Sequence, residues 1–371
     1  MSDFLVVGGG VMGMMLAREL SDAGASVTLV DRQACGKEAS WAGGGIVSPL
    51  YPWRYRPEVT RLASWSQSSY VHLAQALQEE TGLDPELRQK GMLMLAVDDA
   101  DKALAWANDF GRPLRQVEAS FVHELEPNLA QKQTQALWMP EVASVRNPRL
   151  VACLRESLNR RANVTIKESQ GMQGLLIDNG QVTGVQTAKG NIEAGHTVLC
   201  TGAWTGQLLE GLGLNLPVAP VRGQMMLFKA KPGVLNRVVL EGARYIIPRN
   251  DGRILIGSTL EHGSFDKQTT QAAYDTLYES ALGIMPALAD YEVEHHWCGL
   301  RPGSPTGVPY IGAVPGYDGL SVNAGQYRNG LVLAPASTRL MSDLLLGRAP
   351  IVNPSAYALT AERLGTASFD E

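Results

Sequence analysis

The chain is poor in most of the signals that announce a metal, a membrane or a nucleic acid. Its four cysteines, at 35, 153, 200 and 298, form no C-x-x-C pair and no metal-ligand spacing, so they read as small buried hydrophobes. Its six histidines include one adjacent pair, His295-His296, which lacks the i, i+4 spacing that puts two imidazoles on one helix face. No metal is expected. No apolar run reaches the roughly 18 residues of a membrane span. Asp3 and an immediate strand pattern stand where a signal peptide would carry its charged and apolar regions, so the cytoplasm is the expected location. With 32 Lys+Arg against 37 Asp+Glu, the net charge of −5 leaves no basic excess to seat a nucleic acid. Internal repeats, low-complexity tracts and linkers are also missing. What remains is a chain of 371 residues, 45% hydrophobic, enough for a large core and two domains.

The glycines are where the sequence speaks. Phe4-Leu-Val-Val is an apolar run, followed by Gly8-Gly9-Gly10-Val11-Met12-Gly13 with the spacing G-x-G-x-x-G. Residues 11–23 follow as a helix, with Val11, Met15, Leu16, Leu20 and Ala23 on one face, and Val27–Val30 as a second strand ending at Asp31. In such a βαβ unit Gly8 allows the tight turn, Gly10 lets a pyrophosphate approach the backbone, and Gly13 lets helix and sheet pack closely. The helix N-terminus offers N–H groups and a partial positive charge to the phosphates. Asp31 is placed to accept ribose hydroxyls and disfavours a 2′-phosphate, which argues against NADP and leaves FAD and NAD open. A second glycine run, Ser40-Trp41-Ala42-Gly43-Gly44-Gly45-Ile46, is incompatible with a helix or strand interior. Flanked by apolar residues, it reads as another close approach of backbone to cofactor. The bare N–H groups suit a flat flavin ring.

Further on, helices are expected over 58–81, 99–110, 149–161, 267–285 and 332–346, the last with Leu333, Ala336, Leu340 and Leu344 inward. Strands are expected over 91–97, 135–139, 164–166 and 197–200. A hairpin over 175–187 turns at Asn179-Gly180. From about 217 the pattern changes to a mainly antiparallel sheet with strands over 221–228, 245–249 and 253–258. Arg301, between Gly299 and Pro302-Gly303, reads as part of a constrained loop. Gly325 to Gly330 is a glycine-bounded turn leading into the last helix.

Taken in order, V-V-G-G-G-V-M-G with D-R, A-S-W-A-G-G-G-I, R-Y-I-I-P-R, G-L-R-P-G and G-Q-Y-R-N-G-L-V-L-A-P-A resemble the FAD-dependent amino-acid oxidase (DAO) family, specifically its bacterial branch that oxidises glycine and serves thiamine biosynthesis. The resemblance implies a mixed α/β (α+β) fold in which a Rossmann-type FAD-binding domain is interleaved with an antiparallel-sheet substrate-binding domain. The first would take 1–90, 146–216 and 301–371, the second 91–145 and 217–300. It implies non-covalent FAD bound by Gly8, Gly10, Val11, Met12, Gly13, Asp31 and Arg32, then by Ala39, Ser40, Gly44, Gly45 and Ile46. Met172 or a neighbour would touch adenine, and the turn Gln326, Tyr327, Arg328, Asn329, Gly330, Leu331 and Val332 would edge the isoalloxazine. Arg301 would hold the substrate carboxylate beside Tyr245 and Arg328. Two departures from the family pattern stand out. Ala39-Ser40 replaces a threonine pair, and Gln326 replaces a histidine.

The implied reaction is oxidative deamination of glycine, sarcosine or small D-amino acids to the 2-oxo acid, ammonia and H2O2, with O2 as acceptor and a homo-oligomer (dimer or tetramer) as the working form. It needs no nucleophile and no obligatory side-chain base, because the cofactor carries the redox step while the protein binds and orients. Three other readings stand beside it: a D-amino-acid dehydrogenase passing electrons to a quinone, an N-methyl amino-acid oxidase of the kind that often links flavin to a cysteine, and a flavin-binding protein with a structural or regulatory role.

Overall fold

In the computed structural model, residues 1–132 and 134–363 are described. The sequence's alternation of buried strands and glycine corners resolves into two large sheets. The first has eight strands. Its centre is parallel: Ser2–Val7 lies between Val27–Val30 and the end of Gly190–Leu199, and Leu320–Ala324 extends it beyond Gly190–Leu199. Four-residue buried runs such as Val27–Val30 are what a sheet covered on both faces demands. Helices Val11–Asp22, Pro57–Thr81, Asn147–Asn159 and Gly330–Leu345 bury a common core on one face, around Leu16, Leu20, Leu62, Leu154 and Leu340.

The second sheet has nine strands and is mostly antiparallel. Ala219–Phe228 is its spine, pairing with Ile254–Gly257 on one side and with Val293–Gly303 on the other. Arg244–Pro248, Val238–Glu241, Met92–Leu95 and Gln135–Met139 continue it. The helix Gln271–Ile284 covers one face through Leu277, Ala281 and Ile284. A small three-stranded sheet, Ile46–Val47, Ala143–Ser144 and Arg88–Gln89, lies where the chain passes between the two.

Most expected elements are present, with ends shifted by a few residues. The hairpin turns at Asn179 (φ 47°) and Gly180 (φ 84°), the pair of left-handed residues its dipeptide demands. Three expectations need correction. Ala23 is an exposed C-cap outside its helix, and Leu344 is 37% exposed near the end of the last one, where the helix has run past the core. Arg301 lies in the strand Val293–Gly303 and not in a loop. Its segment is rich in Gly and Pro, yet it is held by a long ladder to Ala219–Phe228. That strand also runs through a domain boundary placed between 300 and 301. Residues 364–371 lie outside the described residues.

Candidate active site

A cavity of about 350 Å3 runs along the carboxyl ends of the first sheet's strands and reaches the face of the second sheet. One end is built from main chain. Gly8 (φ 107°) sits against Cys200, where a Cβ would fall 2.4 Å from the carbonyl oxygen. A Cβ on Gly13 would lie 1.8 Å from the carbonyl oxygen of Gly8, so turn and helix touch backbone to backbone. Gly10 is the N-cap of Val11–Asp22 and brings no capping side chain, which leaves first-turn N–H groups to an incoming anion. Ser40 caps one of them from across the cavity, its Oγ accepting the Val11 N–H at 2.8 Å.

Asp31 lines this end, but its carboxylate already has work. Oδ2 accepts the Gly9 N–H at 2.6 Å and Oδ1 the Gln33 N–H at 2.8 Å. Burial pushes its pKa up, against those two bonds. Each oxygen keeps a second lone pair with room for a ribose hydroxyl, while its first ties down the turn. Arg32 stacks on Trp204, 3.8 Å from the ring centroid, and donates to Glu38 Oε1 at 2.8 Å. Met172 lines the same end together with Gln170 and Gly171.

The second glycine run follows a one-turn helix, Ala39–Ala42. Ala39, Ser40, Gly44, Gly45 and Ile46 all line the cavity. Gly45 (φ 87°) runs so close to Val145 that a Cβ would be 2.0 Å from its carbonyl oxygen.

At the other end the wall is made of side chains. Arg301 donates from Nη2 to Ser258 Oγ at 2.5 Å and from Nη1 to the Thr259 carbonyl at 3.3 Å. It packs flat against Gly223, where a Cβ would stand 2.1 Å from Nη1. Burial holds its pKa below the usual arginine value, Tyr245 opposes that, and Arg328 adds like-charge repulsion. Tyr245 is buried and donates to Met225 Sδ at 3.4 Å. The turn at Gln326 closes this end. Gln326 is itself buried, donating from Nε2 to Asn323 Oδ1 at 2.6 Å, and Tyr327 takes a positive φ of 50° to make the corner.

Tyr245, Arg301 and Arg328 thus come together, and the cavity takes in all but two of the expected cofactor residues. The two exceptions are Gly13 and Asn329, neither of which lines it. Gly13 acts through packing, and Asn329 is the buried N-cap of the last helix. Sequence reasoning missed Glu38, Trp204, Asn147, Gly223 and Met225. A signal existed for Trp204, which closes the small-residue corner after the strand Gly190–Leu199. None existed for Gly223 and Met225, whose place depends on strand pairing. Among the described residues no group of acids, histidines and cysteines could hold a metal, and no helix is long and apolar enough to cross a membrane.

The fit to FAD is therefore a matter of shape and donors. Two backbone cradles would be filled by any Cβ, a helix N-terminus is left uncapped by its own residue, and one continuous cavity joins them to a cationic end. Comparison with known proteins agrees. The family model described as FAD dependent oxidoreductase matches residues 3–344. Glycine oxidase of Pseudomonas aeruginosa is 54% identical over 95% of this chain and 97% of its own length. The bifunctional protein ThiO/ThiG of Nostoc is 33% identical over 98% of this chain, which spans 56% of that longer protein. The crystal structure of glycine oxidase from Geobacillus kaustophilus superimposes with a TM-score of 0.92 at 29% identity, covering 98% of this chain and 99% of that one.

Proposed function

The chain belongs to the FAD dependent oxidoreductase family, and from that membership we propose that it oxidises glycine and other small amines or amino acids such as sarcosine and small D-amino acids. The products are the 2-oxo acid, ammonia and H2O2, with O2 as acceptor. The observation that carries this reading is Arg301, fixed by Ser258 and Thr259 at the end of the cavity opposite the dinucleotide turn.

FAD, when bound, supplies the hydride acceptor. Everything else falls to the side chains. The Arg301 fork matches a carboxylate bidentately, and Tyr245, in contact with it, sets the angle at which the carboxylate enters. The carboxylates lining the cavity, Asp31 and Glu38, belong to the nucleotide end, so among the described residues no acid at the reacting end stabilises a substrate ammonium. Arg301 and Arg328 make this end cationic, which favours a neutral substrate amine over an ammonium and so leaves the lone pair that assists hydride loss. The ammonium proton passes to solvent as the substrate enters. Tyr245 and Met225 narrow the space around the substrate Cα, which favours small side chains.

The flavin is held without a covalent link. Cys298, the cysteine nearest Arg301 in sequence, turns its Sγ to the Lys267 carbonyl at 2.7 Å and does not line the cavity. We read the chain as two domains built on the two sheets, with the last boundary set beyond Gly303 so that the strand Val293–Gly303 stays whole. The kinship with ThiO/ThiG supports supply of a glycine-derived imine or 2-oxo acid to thiamine thiazole synthesis.

A substrate panel followed by both oxygen uptake and dye reduction tests the reading. Glycine should consume oxygen and yield peroxide. Faster turnover of D-phenylalanine than of glycine, or dye reduction without oxygen uptake, would defeat it. Acid precipitation should release all the yellow colour into the supernatant, and colour kept in the pellet would favour a covalent, N-methyl amino-acid oxidase.

A further inference from the structure

Arg249 has no place in the reading above, yet it is among the most deeply buried charges of the described chain, only 6% exposed. Buried arginines normally face a carboxylate. Here the fork faces main chain: Nη2 donates to the Gly44 carbonyl at 2.8 Å and Nη1 to the Val145 carbonyl at 3.1 Å. Among the described residues it forms no ion pair. The two acids that influence it, Glu86 and Asp251, are taken up elsewhere: Glu86 by Arg146, Arg149 and the Asn250 N–H, and Asp251 by Arg146 and Arg253. Burial without such a partner pulls the guanidinium down to about 10.

The place of this cation follows from the two-residue period of a strand. Tyr245 and Ile247 project from one face of Arg244–Pro248, and Arg249 continues the series one step past its end. All three meet the same loop. A Cβ on Gly44 would stand 2.9 Å from Ile247 Cδ1 and 3.0 Å from Tyr245 Cε2, while Arg249 grips the Gly44 carbonyl. Val145 runs alongside, donating its N–H to the Gly45 carbonyl at 2.8 Å. The bonded partners stand 205 and 104 residues away in sequence. One strand of the second sheet therefore touches the cofactor-side glycine loop at three successive positions and presents the substrate-side tyrosine from the first of them.

We propose that Arg249 is a positioning residue that registers the Gly43–Gly45 loop against the strand bearing Tyr245, so that FAD affinity depends on a guanidinium that lies outside the cavity lining. Two carbonyls aimed at one dry point need two donors in a fixed fork. Without them both acceptors are buried and unpaired, and the loop regains bonds only by shifting into the space the cofactor needs. The inference is independent of which amine is oxidised.

The test is FAD titration of the apoprotein for wild type, Arg249→Lys and Arg249→Met, with the melting temperature of each apoprotein alongside. Methionine keeps the stem and loses the donors, and should weaken the FAD Kd by about ten- to a hundred-fold, the range for charged hydrogen bonds. Lysine keeps the charge and reaches one carbonyl well, so its Kd should fall between, about three- to ten-fold weaker. A residue that only fills space would lower the melting temperature of both variants alike and leave the two FAD affinities equal. Wild-type Kd in either variant, or equal Kd in both, overturns the proposal. If Arg249→Met does not fold, Arg249→Lys decides alone: a wild-type Kd rejects the registering role, and a Kd weakened in the stated range supports it.

Discussion

At the end proposed for the nucleotide, much of the cavity wall is main chain drawn from short stretches: Gly8 and Gly10 to Met12, then Gly43 to Ile46. At the end proposed for the substrate it is side chain, drawn from Met225, Tyr245 and Arg301 over Gly223, which meet because distant strands pair, and from Arg328 in the turn before the last helix. The first is made by leaving side chains out, the second by bringing them in. Backbone cannot retreat from an added atom, whereas the tip of a long side chain can. The two ends should therefore fail in different ways, and substitutions can separate them.

The largest effect should come from Gly13→Ala. The new Cβ meets the Gly8 carbonyl oxygen at 1.8 Å, and both are main chain. Overpacking costs about 1–3 kcal/mol where side chains can yield and more where they cannot, and here, backbone against backbone, the relief must come from the turn itself. Flavin absorbance per mole of purified protein should collapse. Full flavin content would show that helix and turn can part without harm.

Next comes Arg301→Ala. Losing one partner of a desolvated charge pair costs about 2–5 kcal/mol, a fall in kcat/KM for glycine of roughly 30- to several thousand-fold. FAD content should hold. Ethylamine, which has no carboxylate, should be oxidised slowly by both proteins and at nearly the same rate. Arg301→Lys should recover part of the glycine activity, since it keeps charge but not the fork. Equal losses for glycine and ethylamine would move Arg301 from the substrate to the fold.

Gly223→Ala sharpens the contrast with Gly13→Ala. Its Cβ also clashes, at 2.1 Å, but with the Arg301 guanidinium. The fork can swing away, so the protein should fold and keep FAD while KM for glycine rises. Loss of FAD here would erase the distinction between the two ends.

Asp31→Ala should weaken FAD binding by about ten-fold or somewhat more, the worth of a charged hydrogen bond of roughly 1.5–3 kcal/mol. Because Asp31 also holds the Gly9 and Gln33 amides, Asp31→Asn should recover part of the loss. An unchanged Kd for Asp31→Ala would remove this carboxylate from the cofactor.

The smallest effect lies outside the cavity and serves as control. Burial raises the pKa of Glu19, with Arg339 opposing. A carboxyl raised on folding stabilises the protein while protonated, below its unfolded pKa, and that contribution is lost as pH rises through the folded pKa. Glu19→Gln should therefore be at least as resistant to urea as wild type near neutral pH. That advantage should shrink as the pH is lowered into the carboxylate range, with FAD content unchanged throughout. A neutral-pH loss of stability would mean that the ionised carboxylate has a partner strong enough to offset its burial.

The two glycine turns were legible in the sequence almost intact because the constraint there is local. A glycine is required wherever a Cβ would strike backbone, and such positions cluster within a few residues of one another. The Asn179-Gly180 turn was legible for the same reason. At the other end, Gly299, Pro302 and Gly303 argue for a loop around Arg301, since each weakens an isolated strand. The long ladder to Ala219–Phe228 outweighs them. Nothing near Gly223 or Arg249 announces a partner, because Arg301 and Gly44 are 78 and 205 residues away (from 301 − 223 and 249 − 44).

By itself, then, the sequence determined the dinucleotide turn, the second glycine loop, the periodic elements and a family likeness that carried Tyr245, Arg301 and Arg328 as candidates. Tertiary structure alone decided that Arg301 stands on a strand backed by Ser258 and Thr259, and that both oxygens of Asp31 hold backbone amides, those of Gly9 and Gln33. It also decided that one strand spaces Tyr245, Ile247 and Arg249 along the glycine loop. The physical reason is range. Backbone conformation is set by each residue and its neighbours, but the register between two strands is set by the whole hydrogen-bonded ladder, and a side chain's partners exist only once that register is fixed.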